Sequence, residues 1–483
     1  MSNDKHNSGK LKLFLENFIV YGLGGVISRV VPLIMLPIIT RLLPDTSYYG
    51  ISDMVTTVIS FGGAIAIMGM YDAMYRFFFD KDDVTYKITV CSTTLSFTIC
   101  TSIAVAAIMV VAKTLIAQYF FHDVHYSNLV YIAALATLVS ATNTIVAAPT
   151  RMQNRRKVYL IANTVGPILS YLIAVPLILK GYYIIALPVA VLISATVIEV
   201  SFLTINKSWF RVKLFDRKLL PQLLVVAVPL LPNFLVYWVF NSSDRLMITN
   251  IIGIGAEGVY AIGSKLGHIS QLIYTAFAGG WQYFAFATMK ENDQVGSNSR
   301  IFEYLGAISF CASAFVFALA RVVFKVLFPE GYLEGWSVAP YLFMAPLLQM
   351  LFQVIGNQFL VIKKTWPSML ILLSGALINI VLNMTLIPRF GIEGAAISTL
   401  VGYICSNVIC CIVLCRMKLM NISKRFLLSS VAMVAFIILW RFLLFQSFWL
   451  GLIAASVLTT IICVQYKHEL QLIWGKILMI KTR

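Results

Sequence analysis

Long apolar runs, each closed by a short polar, charged or Gly/Pro-rich break, repeat along the whole chain. The runs fall near 13–40, 49–75, 88–112, 127–149, 158–179, 182–205, 220–248, 257–289, 302–328, 337–362, 366–387, 392–415, 426–444 and 447–466. Nearly all reach the ~20 residues a helix needs to cross a bilayer. The pattern predicts an all-α polytopic membrane protein of about fourteen transmembrane helices. No break is long enough for a soluble domain, so function must reside in the helices and their loops.

Composition agrees. Apolar residues make up 60% and charged residues 12% of the 483, against about 25% charged in a soluble domain. A soluble enzyme, a nucleic-acid-binding protein and a disordered chain are excluded. The start, MSNDKHNSGKLKLF, has the basic flank of a signal peptide, but the apolar stretch outruns a signal core and reads as the first membrane helix. The eight Cys lie inside apolar runs without a Cys-x-x-Cys pair, and neither a disulfide framework, a metal site nor a cofactor is expected.

The net charge of +17 changes meaning once the chain is placed in a membrane. With the N-terminus inside, alternate loops hold 27 basic residues on the inner side and 5 on the outer. That asymmetry is the positive-inside pattern, not a nucleic-acid signal, and both termini are expected in the cytoplasm.

Spacing also reveals a repeat. Gly50 corresponds to Gly258 and Arg155–Arg156 to Lys363–Lys364 at an offset of 208; Gly181 corresponds to Gly391 and Ala186 to Ala396 at 210. Helices 1–6 and 7–12 are therefore expected to be two parallel copies of one unit. The expected organisation is an N-terminal lobe at 1–206, a basic linker at 207–219, a C-terminal lobe at 220–418, and helices 13 and 14 with a tail at 419–483. Two such lobes with substrate between them describe alternating access. No filter ring points to a channel, and no cluster of nucleophile, acid/base or metal ligands points to an enzyme.

Five basic residues remain within helices: Arg29, Arg245, Lys265, Arg321 and Lys325. A charge at the bilayer centre costs at least ~2.5–3.5 kcal/mol and normally faces a cavity or a partner. Arg29 lies twelve residues before Arg41, about 18 Å along a helix, near the midplane. Arg245 and Lys265 are expected together as an outer cationic layer, both ~10–12 Å below the outer surface, with Asp244 available to pair with Lys265 and Asp53 a further ion-pair or coupling candidate. Arg321 and Lys325 share a face, and Lys325 can snorkel to the interface. The embedded acids Asp53, Asp72, Glu16 and Glu199 are fewer, so a cavity lined by Arg29, Arg245, Lys265 and Arg321 is expected to be cationic. It would suit a phosphate or diphosphate, which Arg grips with two parallel bonds. Pro32, Pro37, Pro229 and Pro232 are expected to bend the first helix of each copy.

Three stretches carry a family resemblance. ALINIVLNMTLIPRFGIEGAA (376–396), NSSDRLMITNIIGIGAEGVYAIGSKL (241–266) and PLIMLPIITRLLPDTSYYGI (32–51) resemble polysaccharide flippases of the multidrug/oligosaccharidyl-lipid/polysaccharide exporter superfamily. The resemblance implies flipping of undecaprenyl-diphosphate-linked oligosaccharide repeat units for O-antigen, capsule or exopolysaccharide in the bacterial cytoplasmic membrane. It implies membrane lipids and the lipid-diphosphate-linked glycan as partners, with a polysaccharide polymerase and other assembly proteins, and no nucleic acid. A lipid II flippase and a drug/cation antiporter are the alternatives within the same superfamily.

Overall fold

The computed structural model describes residues 30–287, 293–362, 364, 366–469 and 471. Within them every regular element is helical, and eleven helices are long and apolar enough to cross a membrane. The difference from fourteen has local causes. The first run is described only as Val30–Leu42. The run expected at 257–289 breaks at a 3-10 turn, His268–Ser270, into Ile254–Gly267 and Gln271–Ala287. Helices 11 and 12 run together as Trp366–Arg416, with non-helical φ/ψ at Gly391.

That glycine belongs to the repeat. Gly391 has φ +61° and its counterpart Gly181 has φ +85°, a region that residues with a Cβ rarely enter. Both copies thus turn between their fifth and sixth helices on a glycine held left-handed. Asp83 and Asp293, again 210 apart, stand at the N-termini of Val84–Val111 and Gln294–Leu327. Asp83 accepts from Thr85 N (3.2 Å) and Tyr86 N (2.9 Å), supplying acceptors for otherwise orphaned first-turn donors.

The segments that follow each copy dock alike. Arg211 N donates to Ser92 Oγ (2.8 Å), and Asn421 N to Ser299 Oγ (3.0 Å). The linker is therefore tied to the third helix by its backbone rather than only lying at an interface. In the second copy the buried Glu303 additionally accepts from Ser423 N (2.7 Å) and Ser423 Oγ (2.8 Å).

Packing groups the chain into two compact units. One comprises the residues up to Ile262 with Asn379–Ala395; the other comprises Gly263–Ile378 with the residues from Ala396 onward. This partition differs from lobes drawn at 1–206 and 220–418. The reason is that Leu219–Ile251 and the start of Ile254–Gly267 pack on the first copy. A Cβ on Gly69 would overlap the Ala227 carbonyl, so backbone meets backbone there. Pro229 falls in the 3-10 turn Val228–Leu230 and Pro232 in the first turn of Leu231–Ile251, so the chain breaks between Leu219–Ala227 and Leu231–Ile251 because proline lacks the interior N–H.

The first unit holds two apolar cores. Met54, Val55 and Val58 pack with Val130, Ala133 and Ala134; Met70, Met74 and Cys91 pack with Ile145, Leu223 and Ala227. In the second unit Phe317, Tyr341 and Trp440 meet edge to face, a favoured aromatic geometry. Large apolar side chains also point outward, Val111 at 87% and Phe442 at 71% exposure, as a lipid-facing surface requires.

Candidate functional site

Polar residues in an apolar helix mark the site. Helix Leu231–Ile251 carries Asn241, Ser242, Ser243, Asp244 and Arg245 in one run. Arg245 forms an ion pair with Asp53 of Thr46–Ile67, the two side chains being 17% and 1% exposed. Asp244 is buried and accepts from the Tyr260 hydroxyl and from Arg245 N (2.8 Å). Glu257 is fully buried, lies against Gly50, and acts electrostatically on Arg245. Close by in the chain, Ser243 Oγ donates to Asn379 Oδ1 (3.1 Å), which also accepts from Asn383 Nδ2 (3.4 Å).

The make-up of this cluster corrects the expectation for Arg245. Among the described residues three carboxyls, Asp53, Asp244 and Glu257, gather around the one guanidinium, so Arg245 sits in an acid-rich cluster. Arg245 is the counter-ion that allows Asp53 to be buried, because an uncompensated buried carboxylate is strongly disfavoured. Asp244 has Tyr260 as its partner, where Lys265 was the expected one. Lys265 is exposed and belongs to the second unit. Arg321 is exposed in the second unit, where it donates to the Phe445 carbonyl (3.4 Å) and sits 5.8 Å from the Trp336 ring centroid. Arg29 lies outside the described residues.

Glu257, Tyr260 and Asn379 did not stand out in the sequence. Glu257 occupies the start of an expected helix, where an acid looks interfacial. Its burial follows from the close approach of Gly50 to Ile254–Gly267, which periodicity does not encode. Asn379 and Tyr260 are uncharged and raise no insertion cost that would flag them.

A second feature of the first unit is an uncharged cavity of about 410 Å3 whose mixed lining includes Asn143, Asn163, Ser170, Tyr171 and Ser194. Amide and hydroxyl groups there can donate and accept without carrying charge. Among the described residues no group of three or more His, Cys, Asp or Glu could hold a metal ion.

The described residues form a bundle of long apolar helices with polar clusters buried inside it. Solved membrane-protein structures share this fold. A structure described as lipid II flippase MurJ in the inward closed conformation superposes with TM-score 0.73 at 14% identity, covering 94% of this chain and 100% of that one. An inward-facing multidrug resistance MATE transporter superposes with TM-score 0.65 at 13% identity, covering 82% and 98%. An uncharacterized membrane protein of Methanocaldococcus jannaschii is 28% identical over 206 residues, 39% of this chain and 38% of its own length. The match thus spans well under half of that curated relative. Residues 38–337 match the family model described as polysaccharide biosynthesis protein, and the chain belongs to that family.

Proposed function

We propose that the protein flips undecaprenyl-diphosphate-linked oligosaccharide repeat units from the cytoplasmic to the outer leaflet of a bacterial cytoplasmic membrane by alternating access, for surface polysaccharide synthesis. The observation that carries this reading is membership of the polysaccharide biosynthesis family over residues 38–337. A lipid II flippase among the similar structures supports a lipid-linked substrate. The amide and hydroxyl groups of Asn143, Asn163 and Ser194 in the uncharged cavity suit sugar hydroxyls. The repeat of helices 1–6 in helices 7–12 supports rocking between two halves, and the excess of basic residues in alternate loops supports both termini in the cytoplasm.

Deleting the gene should leave lipid-linked repeat units on the cytoplasmic face and remove the surface glycan, with dye and drug efflux unchanged. Radiolabelled lipid-linked intermediates, followed by protease-free surface glycan staining, read both outcomes. Normal surface glycan would reject the reading.

In this proposal Arg29 holds the diphosphate, with Lys265 an additional cation. Arg29→Ala should abolish flipping at normal membrane abundance, and Arg29→Lys should restore part, since charge is kept and the planar fork is lost. Full complementation by Arg29→Ala at normal abundance would remove it from the site.

A drug/cation antiporter is the second reading, favoured by the acid-rich cluster around Arg245. It predicts drug hypersensitivity in the deletion strain with surface glycan intact.

A further inference from the structure

Arg321 and Lys325 sit one turn apart near the end of Gln294–Leu327, on the same face. Their face closes a cavity of about 480 Å3 in the second unit, walled by Trp336, Trp440 and Phe445 and rimmed by Glu334. That size lies within the range of small-molecule sites. Trp336 and Phe445 stack at 6.0 Å with 7° between their planes, and Trp440 meets Trp336 at 5.7 Å. Trp440 opens a π-helical turn, Trp440–Leu444, a local irregularity that recurs at functional sites. The stacked rings and the Phe445 carbonyl fix the Arg321 guanidinium.

Neither Arg321 nor Lys325 forms an ion pair among the described residues, Glu334 included. Two cations with no carboxylate partner, set among aromatic rings, favour an anion that brings its own charge. The N-terminus of Phe448–Gln465, capped by Ser447, also borders the cavity, and its dipole has the same preference. Val326 and Trp449, on the two helices that flank the cavity, are 69% and 68% exposed. These apolar side chains offer a path for acyl chains beside the headgroup.

We propose that this cavity binds the phosphate headgroup of an anionic membrane phospholipid. Arg321 supplies a planar fork to the phosphate oxygens, Lys325 a second charge, and the aromatic wall a surface for the glycerol backbone at the depth where Trp is enriched. The site is distinct from the Arg245 cluster and does not rest on the flippase reading.

The test is native mass spectrometry of the full chain in detergent, titrated separately with phosphatidylglycerol, phosphatidylcholine and undecaprenyl diphosphate. Phosphatidylglycerol should bind in preference to phosphatidylcholine. Each cation removed should weaken it about 5-fold, so Arg321→Ala with Lys325→Ala should weaken it about 25-fold. Glu334→Gln should tighten binding, because it deletes the one acid among the described lining residues. Should the double variant fail to accumulate, Lys325→Ala and Glu334→Gln, both at exposed positions, must still shift affinity in opposite directions. Unchanged phosphatidylglycerol binding in the cation variants would overturn the proposal and reduce both residues to snorkelling side chains. Binding of undecaprenyl diphosphate alone through Arg321 and Lys325 would also overturn it, assigning the cavity to the lipid-linked substrate.

Discussion

Arg245→Ala should lower the stability of the folded protein by about 3–5 kcal/mol, the usual cost of breaking a buried ion pair from one side. Asp53 is 1% exposed and would lose its ion pair with Arg245 while Asp244 and Glu257 stay in the same cluster. The penalty comes from the abandoned carboxylate more than from the lost attraction. Asp53→Asn in the Arg245→Ala background should therefore restore much of the loss, since a neutral amide is far cheaper to bury. Arg245→Lys should fall between, keeping charge but not the planar geometry. Thermal unfolding in detergent, followed by intrinsic fluorescence, measures these three variants and the Asp53→Asn single variant on one scale. A residue acting only on substrate predicts a different pattern: wild-type unfolding with transport lost. Wild-type stability for Arg245→Ala would sink the structural assignment, and an additive double variant would show that Asp53 is not its partner.

That pair also shows where the sequence is legible and where it stops. Apolar run length set the helices, because bilayer thickness imposes one length scale on all of them. Paired glycines set the repeat: Gly181 and Gly391 are each required by a positive φ, a demand the residue type itself advertises. Pro229 likewise announced the break at Val228–Leu230. Charge told that Arg245 needed a partner, but not which one. Asp53 lies 192 residues away, and the choice among Asp53, Asp244 and Glu257 depends on how three helices cross. The acid-rich make-up of the cluster therefore could not be obtained by counting. Arg321 was equally visible as an embedded cation, yet its surroundings come from the loops around Trp336 and Phe445, whose aromatic residues read as an ordinary interfacial belt.

Gly50→Ala and Gly258→Ala should each destabilise the protein by about 1–3 kcal/mol, the range for overpacking a tight contact, and by similar amounts. The contact is reciprocal across the repeat. A Cβ on Gly50 would overlap the Ile254 carbonyl, and a Cβ on Gly258 would overlap the Thr46 carbonyl. Both pairs keep the 208-residue offset, so each glycine sits against the first turn of the other's helix. Backbone is the obstacle on both sides and cannot rotate away as a side chain would. The Thr46–Ile67 and Ile254–Gly267 helices must separate to admit either methyl group. Once one substitution has forced them apart, the second meets a gap already opened, and the double variant should cost less than the sum of the singles. Gly63, on the same helix with open space where its Cβ would stand, is the control. Gly63→Ala should be neutral or stabilising by up to about 1 kcal/mol, because alanine loses less backbone entropy in a helix. Unfolding temperatures of the four variants in one detergent decide the matter. A Gly258→Ala protein as stable as wild type would show that this crossing of Thr46–Ile67 and Ile254–Gly267 is loose.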